Sequence, residues 1–213
     1  MINRYIRLSP LYFFCLYSIV YISFTFLFNY LLLDDALFYK SYDEVLRVDR
    51  ITQLITQQRF FQKIGYGIVP LILLLRAFYT ATCLAVGIFI TEQNLKFSQC
   101  FNIAIKADII FLIELIIKID YFSLLEVNSL RELDIHLFSA LQWMGVNNVK
   151  QWLSYPMNVL NIFELTYWVL LTLFLSDYTK KSFGNSLGFV AKTYGVGLLI
   201  WVVFVMFIVL NFL

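Results

Sequence analysis

Five long apolar stretches, at about residues 11–33, 66–90, 101–119, 157–176 and 188–213, account for most of this chain, and only short polar segments separate them. A hydrocarbon core about 30 Å thick needs roughly 20 apolar residues of helix to cross it. Each stretch reaches or approaches that length. Lipid offers no hydrogen-bond partners, so a spanning segment must satisfy its own backbone, which a helix does. The sequence therefore predicts an all-α fold: a polytopic transmembrane helical bundle of about five spans, forming one integral membrane domain over residues 1–213. Composition agrees, with 61% hydrophobic residues and a mean hydropathy of +0.78, too apolar for an ordinary soluble domain. A net charge of +2 gives no basis for a nucleic-acid partner.

The N-terminal Arg4 and Arg7 precede an apolar run too long for a signal-peptide core, so the first stretch is expected to be a retained anchor. These arginines favour a cytoplasmic N-terminus, and Lys180 and Lys181 fall in a short loop on the same side. Lys40, Arg47, Arg50, Arg59 and Lys63 in the first inter-span segment work against that orientation. Cys15, Cys83 and Cys100 are odd in number and widely spaced, which implies neither a disulfide framework nor a zinc site.

Two inter-span segments read as amphipathic. In residues 43–64, Val45, Val48, Ile51 and Ile55 recur at helical steps, and Asp43 stands four residues before Arg47. Such a helix can lie on the headgroup layer, dock on a partner, or extend the second span. In residues 130–144, Leu130, Leu133, Leu137, Leu141 and Met144 form a helical stripe with Gly145 as a stop, which predicts a short interfacial helix. The capping patterns Ser123-x-x-Glu126 and Ser129-x-x-Glu132 precede it. Trp143, Trp152 and Tyr155 suit the headgroup level, with Pro156 just before the fourth span.

Seven charged residues lie inside predicted spans. Lys106 and Lys192 are nearer the cytoplasmic face and are expected to snorkel, and Lys118, four residues after Glu114, offers it a local pair. The remaining four are Arg76, Asp108, Glu114 and Glu164. Counting about 1.5 Å of rise per residue puts Arg76, Glu164 and Glu114 roughly 3, 4 and 6 Å to one side of the midplane. Asp108 falls roughly 3 Å to the other side. An unpaired charge there is expensive, so the expectation is a buried cluster in which Arg76 pairs with Glu114 or Glu164. It would serve as structural glue, or as the lining of a polar path. Small residues mark expected helix contacts: Ala77, Ala81 and Ala85 on the second span, and Gly184, Gly188, Ala191 and Gly195 at the start of the fifth. His136, the single histidine, reads as a surface residue. No catalytic, cofactor or metal motif stands out, and Pro70 is the one proline expected to break a span.

The second half of the chain carries a resemblance. Asn158-Val-Leu-Asn-Ile-Phe-Glu-Leu-Thr-Tyr-Trp168 opens a span, Lys180-Lys181-Ser182-Phe183 makes a short basic loop, and Ser186-Leu-Gly-Phe-Val-Ala-Lys-Thr-Tyr-Gly195 leads into a long last helix. Over about residues 65–213, mainly through the order of hydropathy, the chain resembles the bacterial branch of the Yip-domain family of five-span membrane proteins. The resemblance implies a five-span fold. Eukaryotic members act as trafficking factors that contact small GTPases, but their Asp-Leu-x-Gly-Pro signature is missing here. The long polar segment also follows the first span instead of preceding it, so no residue role carries over.

Three functions compete on these observations. A non-catalytic subunit or scaffold would bind another membrane protein, or a second copy, through its small-residue faces and amphipathic segments. A transport or permease subunit would use the charge cluster to line a polar path. A lipid-modifying enzyme would need interfacial acids, for which Asp34, Asp35 and Asp120 are available. The first is the reading adopted: no enzyme, no cofactor, and the lipid bilayer as the surrounding partner. Abundant Phe, Ile, Leu, Tyr and Asn with few Gly and Pro point to an AT-rich bacterial genome and hence to the bacterial inner membrane.

Overall fold

A computed structural model describes residues 10–42, 45–92, 94–125, 127–145 and 148–212. Arg4, Arg7, Asp43 and Glu126, on which parts of the orientation, helix-pair and capping arguments rest, lie outside them. The described residues are helical, with no strand and one isolated bridge between Ser139 and Asn161. The helices are α1 (Pro10–Leu32), α2 (Asp35–Tyr42), α3 (Val48–Ile90), α4 (Phe97–Ala107) and α5 (Ile109–Leu124). There follow α6 (Leu130–Leu133), α7 (Ala140–Met144), α8 (Gln151–Val159), α9 (Ile162–Thr179) and α10 (Phe183–Val190). A π-helical turn, Ala191–Gly195, then joins α10 to α11 (Val196–Phe212).

Three helical runs are long and apolar enough to cross a bilayer: Pro10–Leu32, Val48–Ile90 and Phe183–Phe212. Their number falls short of the five predicted, because the third and fourth apolar stretches are interrupted. The third breaks at Asp108 into α4 and α5. In the fourth, α8 stops at Val159 and α9 restarts at Ile162, where the Asn161 side chain accepts from Glu164 N at 2.8 Å and caps the new helix. Pro156 lies within α8 instead of ahead of the span.

α3 is one helix of 43 residues, about 65 Å long and twice the hydrocarbon thickness. Among the readings of residues 43–64, the extension of the second span is the one observed. Ile51 and Ile55 are buried against Phe38 of α2, whereas Val45 and Val48 are exposed. Pro70 does not end the helix; a lost backbone bond in an apolar helix is tolerated when neighbours re-satisfy the freed carbonyl.

Side-chain contacts fix the directions. Asn29 donates to the Tyr66 hydroxyl at 3.0 Å, and Tyr21 and Arg76 line one cavity, so α1 and α3 are antiparallel. The Tyr17 hydroxyl reaches Asp108 O at 3.0 Å and Lys118 lies 5.5 Å from the Phe28 ring, so α1 and α5 are parallel. Asn102 meets Tyr178 at 3.3 Å and Phe111 meets Tyr167 at 5.1 Å, so α9 opposes α4–α5. Gly87 faces Thr193, and Tyr79 donates to Gly197 O at 2.7 Å, so the last helix opposes α3. The five apolar segments therefore alternate in direction, with α4–α5 and α9 at the centre of the core. α11 has no buried residue and α1 has only Tyr17, Ser18 and Leu32, so both present bare apolar faces.

The predicted interfacial helix over 130–144 is replaced by two short helices joined by a non-helical stretch. Leu133, Ile135, Leu137, Ser139 and Leu141 are buried while Asp134 and Phe138 are exposed. That is a period of two, the pattern of an extended segment, and the helical stripe is only partly used. The segment tucks between α5 and the start of α9, where Ala140 N donates to Leu160 O at 2.9 Å and Phe138 packs on Phe163. Leu160 O, freed by the helix break, thereby gains a partner. At the Ser129 pattern, Glu132 reaches back to Asn128 N at 3.1 Å, one residue earlier than predicted.

Candidate functional site

The interior charges form three closed units. In the first, Arg76 of α3 holds Asp108 at the α4–α5 break: Nε and Nη2 donate to Oδ1 at 3.1 and 2.9 Å. The Arg76 guanidinium lies 3.5 Å from the centre of the Phe111 ring, a cation–π contact. The break itself is stitched: Asp108 N donates to Ala104 O, Phe111 N donates to Asp108 O, and Tyr17 also donates to Asp108 O. Asp108 is 1% exposed, and a carboxylate that deeply enclosed requires such a partner.

The second unit is held by the π turn. An extra residue in a helical turn redirects the side chains that follow it. Here Tyr194 points at Glu164, and its hydroxyl donates to Oε1 at 2.9 Å. Trp168, one turn after Glu164 on α9, donates to the same oxygen from Nε1 at 3.0 Å. Between the two units Tyr167 is fully buried, donates to Thr80 Oγ1 at 3.0 Å, and meets Tyr194 edge to face at 5.3 Å.

In the third unit Glu114 of α5 is hydrogen-bonded through Oε1 to His136 Nδ1. His136 N donates to Asn158 Oδ1 at 2.8 Å, and Asn158 Nδ2 donates to Asp134 O at 3.3 Å. This unit ties the inserted 130–145 segment to α5 and α8.

The expected single cluster is thus divided, and Arg76 pairs with neither Glu114 nor Glu164. Its partner is Asp108, which depth counting had set on the far side of the midplane. Depth alone does not say which faces meet: α3 packs along α4, so Arg76 and Asp108 are opposed, while α9 turns Glu164 toward the π turn. His136 is half-exposed, as a surface residue would be, and is also the bonding partner of Glu114. Tyr17 and Thr80 were not singled out from sequence, and Asn158, Tyr167, Trp168 and Tyr194 stand in the stretches that carry the resemblance without an expected bonding role. The Glu164–Trp168 spacing of four was a legible signal. The tyrosines carried none, since a tyrosine in an apolar run reads equally well as lipid-facing.

Among the small residues, Ala77 and Ala81 are fully buried and Ala85 packs against the core. Ala191 opens the π turn, and Gly195 lies against the Trp168 ring. Gly184 and Gly188 correct the expectation, because a Cβ at either would meet nothing within 4 Å. The close approaches are instead at Gly87, on Thr193 and Phe189, and at Gly197, on Cys83 and Tyr79. All three cysteines are free. Asp34 caps α2 through Leu37 N at 2.8 Å, and Asp35 pairs with Arg59 at 2.7 Å, so two of the three interfacial acids have structural partners, while Asp120 is exposed. Among the described residues no group of three or more His, Cys, Asp or Glu is placed to hold a metal. Comparison of the chain with protein-family models, with curated proteins and with solved structures gives no match.

Proposed function

We propose that this chain is an integral membrane protein with five crossing segments that serves as a non-catalytic subunit or scaffold of a membrane assembly. The observation that carries this reading is that Asp108, Glu114 and Glu164 are each closed on partners from the same chain. Closed units of this kind fix helix register. A relay or a general acid–base site needs a group that is free to exchange protons. Only Ser18 Oγ and Ser186 Oγ are buried without a partner among the described side chains. Lipid supplies no hydrophobic drive between helices, so close packing and polar contacts must hold such a bundle together. The interior supplies both.

In this reading α4–α5 and α8–α9 also lie at bilayer depth, and the membrane is the bacterial inner membrane, in keeping with the Yip-like order of hydropathy. The bare faces of α1 and α11 are where a protein neighbour would sit. The test is site-specific photocrosslinking in the native membrane from positions 16 and 19 on α1 and 199, 203 and 207 on α11. A scaffold gives one discrete protein adduct from a contiguous set of these positions. Adducts with lipid alone from all five would overturn the reading.

A transport role has its own support in the helix breaks at Asp108 and Leu160 and in the π turn, since interrupted helices build many midplane sites. It would be favoured if liposomes containing the protein dissipated a pH gradient and Glu164→Gln abolished the leak.

A further inference from the structure

A cavity of about 400 Å³ opens between α1, α3, α5 and the end of α6, and meets the closed units only at Arg76, which forms its end, and at Asp134. That volume lies within the usual range for a small-molecule site. Val69, Ile72 and Leu73 line it from α3, Thr25 and Asn29 from α1, and Lys118 and Asp134 bring charges of opposite sign. Along α3 its lining runs from Val69 to Arg76. Those seven helical steps correspond to about 10 Å, or a third of a hydrocarbon core about 30 Å thick. A second cavity of about 280 Å³ shares Phe28, Leu133 and Asp134 with the first and continues toward Tyr42 and Gln58.

Two of the three charges in this groove, Lys118 and Asp134, have no ion-pair partner among the described residues. Lys118 makes no salt bridge among the described residues, and its ammonium sits 5.5 Å from the Phe28 ring. Glu114 and Asp134 are the acids that act on it electrostatically, and Glu114 is already taken by His136. No hydrogen bond to the Asp134 carboxylate is formed among the described residues; its backbone N–H donates to Arg131 O and its carbonyl accepts from Asn158. Arg76, at the deep end, is neutralised by Asp108. What remains is one free cation and one free anion lining a common pocket, beside an apolar trough that runs about 10 Å along α3.

From this juxtaposition we propose that the groove holds a zwitterionic phospholipid with a primary ammonium headgroup, phosphate on Lys118 and ammonium on Asp134, with an acyl chain along Val69, Ile72 and Leu73. Charge complementarity selects this occupant. A purely anionic headgroup would satisfy Lys118 and face Asp134 unfavourably. A choline headgroup has no N–H to donate to the carboxylate. The proposal rests on the chain lying in a bilayer and is independent of the scaffold role.

The test is native mass spectrometry of the delipidated full chain in detergent, titrated with phosphatidylethanolamine, phosphatidylcholine and phosphatidylglycerol of identical acyl chains. A charge-assisted hydrogen bond lost from the site corresponds to a fall in affinity of about tenfold or more. The parent should bind one phosphatidylethanolamine about tenfold more tightly than either competitor. Lys118→Met should weaken phosphatidylethanolamine and phosphatidylglycerol alike, and Asp134→Asn should abolish the preference between those two while keeping phosphatidylglycerol bound. Lys192→Met, away from the groove, serves as the control. Equal binding of the three lipids by the parent, or tighter binding of phosphatidylglycerol, would overturn the proposal. So would a Lys118→Met variant that binds as the parent does. Should Lys118→Met fail to fold, the parent competition and Asp134→Asn still decide the matter.

Discussion

At the scale of single residues, the interior is governed by the cost of an uncompensated charge. Arg76 and Asp108 are tolerable because each is the other's partner and because Phe111 and Tyr17 complete the enclosure. Removing one partner of a buried pair costs about 3–5 kcal/mol, most of it from the charge left behind. Arg76→Ala should therefore lower the melting temperature in detergent sharply. Adding Asp108→Asn should recover part of the loss, whereas adding Glu114→Gln or Glu164→Gln should not. Recovery with Glu164→Gln but not with Asp108→Asn would mean that the pairing is assigned wrongly. A neutral contact is a milder case. Tyr167→Phe leaves the Thr80 hydroxyl without its donor and should cost about 1 kcal/mol. The four ionisable residues of the interior were all legible in the sequence, since charges in apolar runs are conspicuous. Their pairing was not, because it depends on which helix faces meet.

Single helices follow the sequence where an apolar run is continuous and depart from it where the chain must accommodate a polar group. α1 and α3 contain the first two apolar stretches much as read. The third stretch looked equally continuous, yet it breaks at Asp108. A polar residue in an apolar run does not announce whether it ends a helix, and here Tyr17, ninety-one residues away, helps to satisfy the buried Asp108 carbonyl. Residues 130–144 offered two periodicities at once. The helical one was read, and the extended one buries Leu133, Ile135, Leu137, Ser139 and Leu141.

Glycine positions divide in the same way, by contact and not by spacing. Gly87→Ala should destabilise by at least 1 kcal/mol, because the methyl group would drive into Thr193 and Phe189. Gly188→Ala should be neutral or slightly stabilising, by up to about 1 kcal/mol of helix propensity. Paired thermal melts in one detergent check both, and a greater loss at Gly188 than at Gly87 would reverse the packing account of the last helix.

Over the whole molecule, five apolar segments of alternating direction surround closed polar units, and the two interrupted segments lie inside the three unbroken ones. An all-helical, membrane-compatible chain was legible from run lengths alone. The interruptions were not, and they leave room for a different arrangement in which only α1, α3 and the α10–α11 run cross. Cysteine accessibility in sealed vesicles separates the two. It uses a background in which Cys15, Cys83 and Cys100 are replaced by serine, with single cysteines introduced at Asn94, Lys150 and Lys181. If all five segments cross, positions 94 and 181 label from one side of the membrane and position 150 only from the other. Labelling of all three from the same side would contradict the account, since residues 91–182 would then never have entered the opposite compartment.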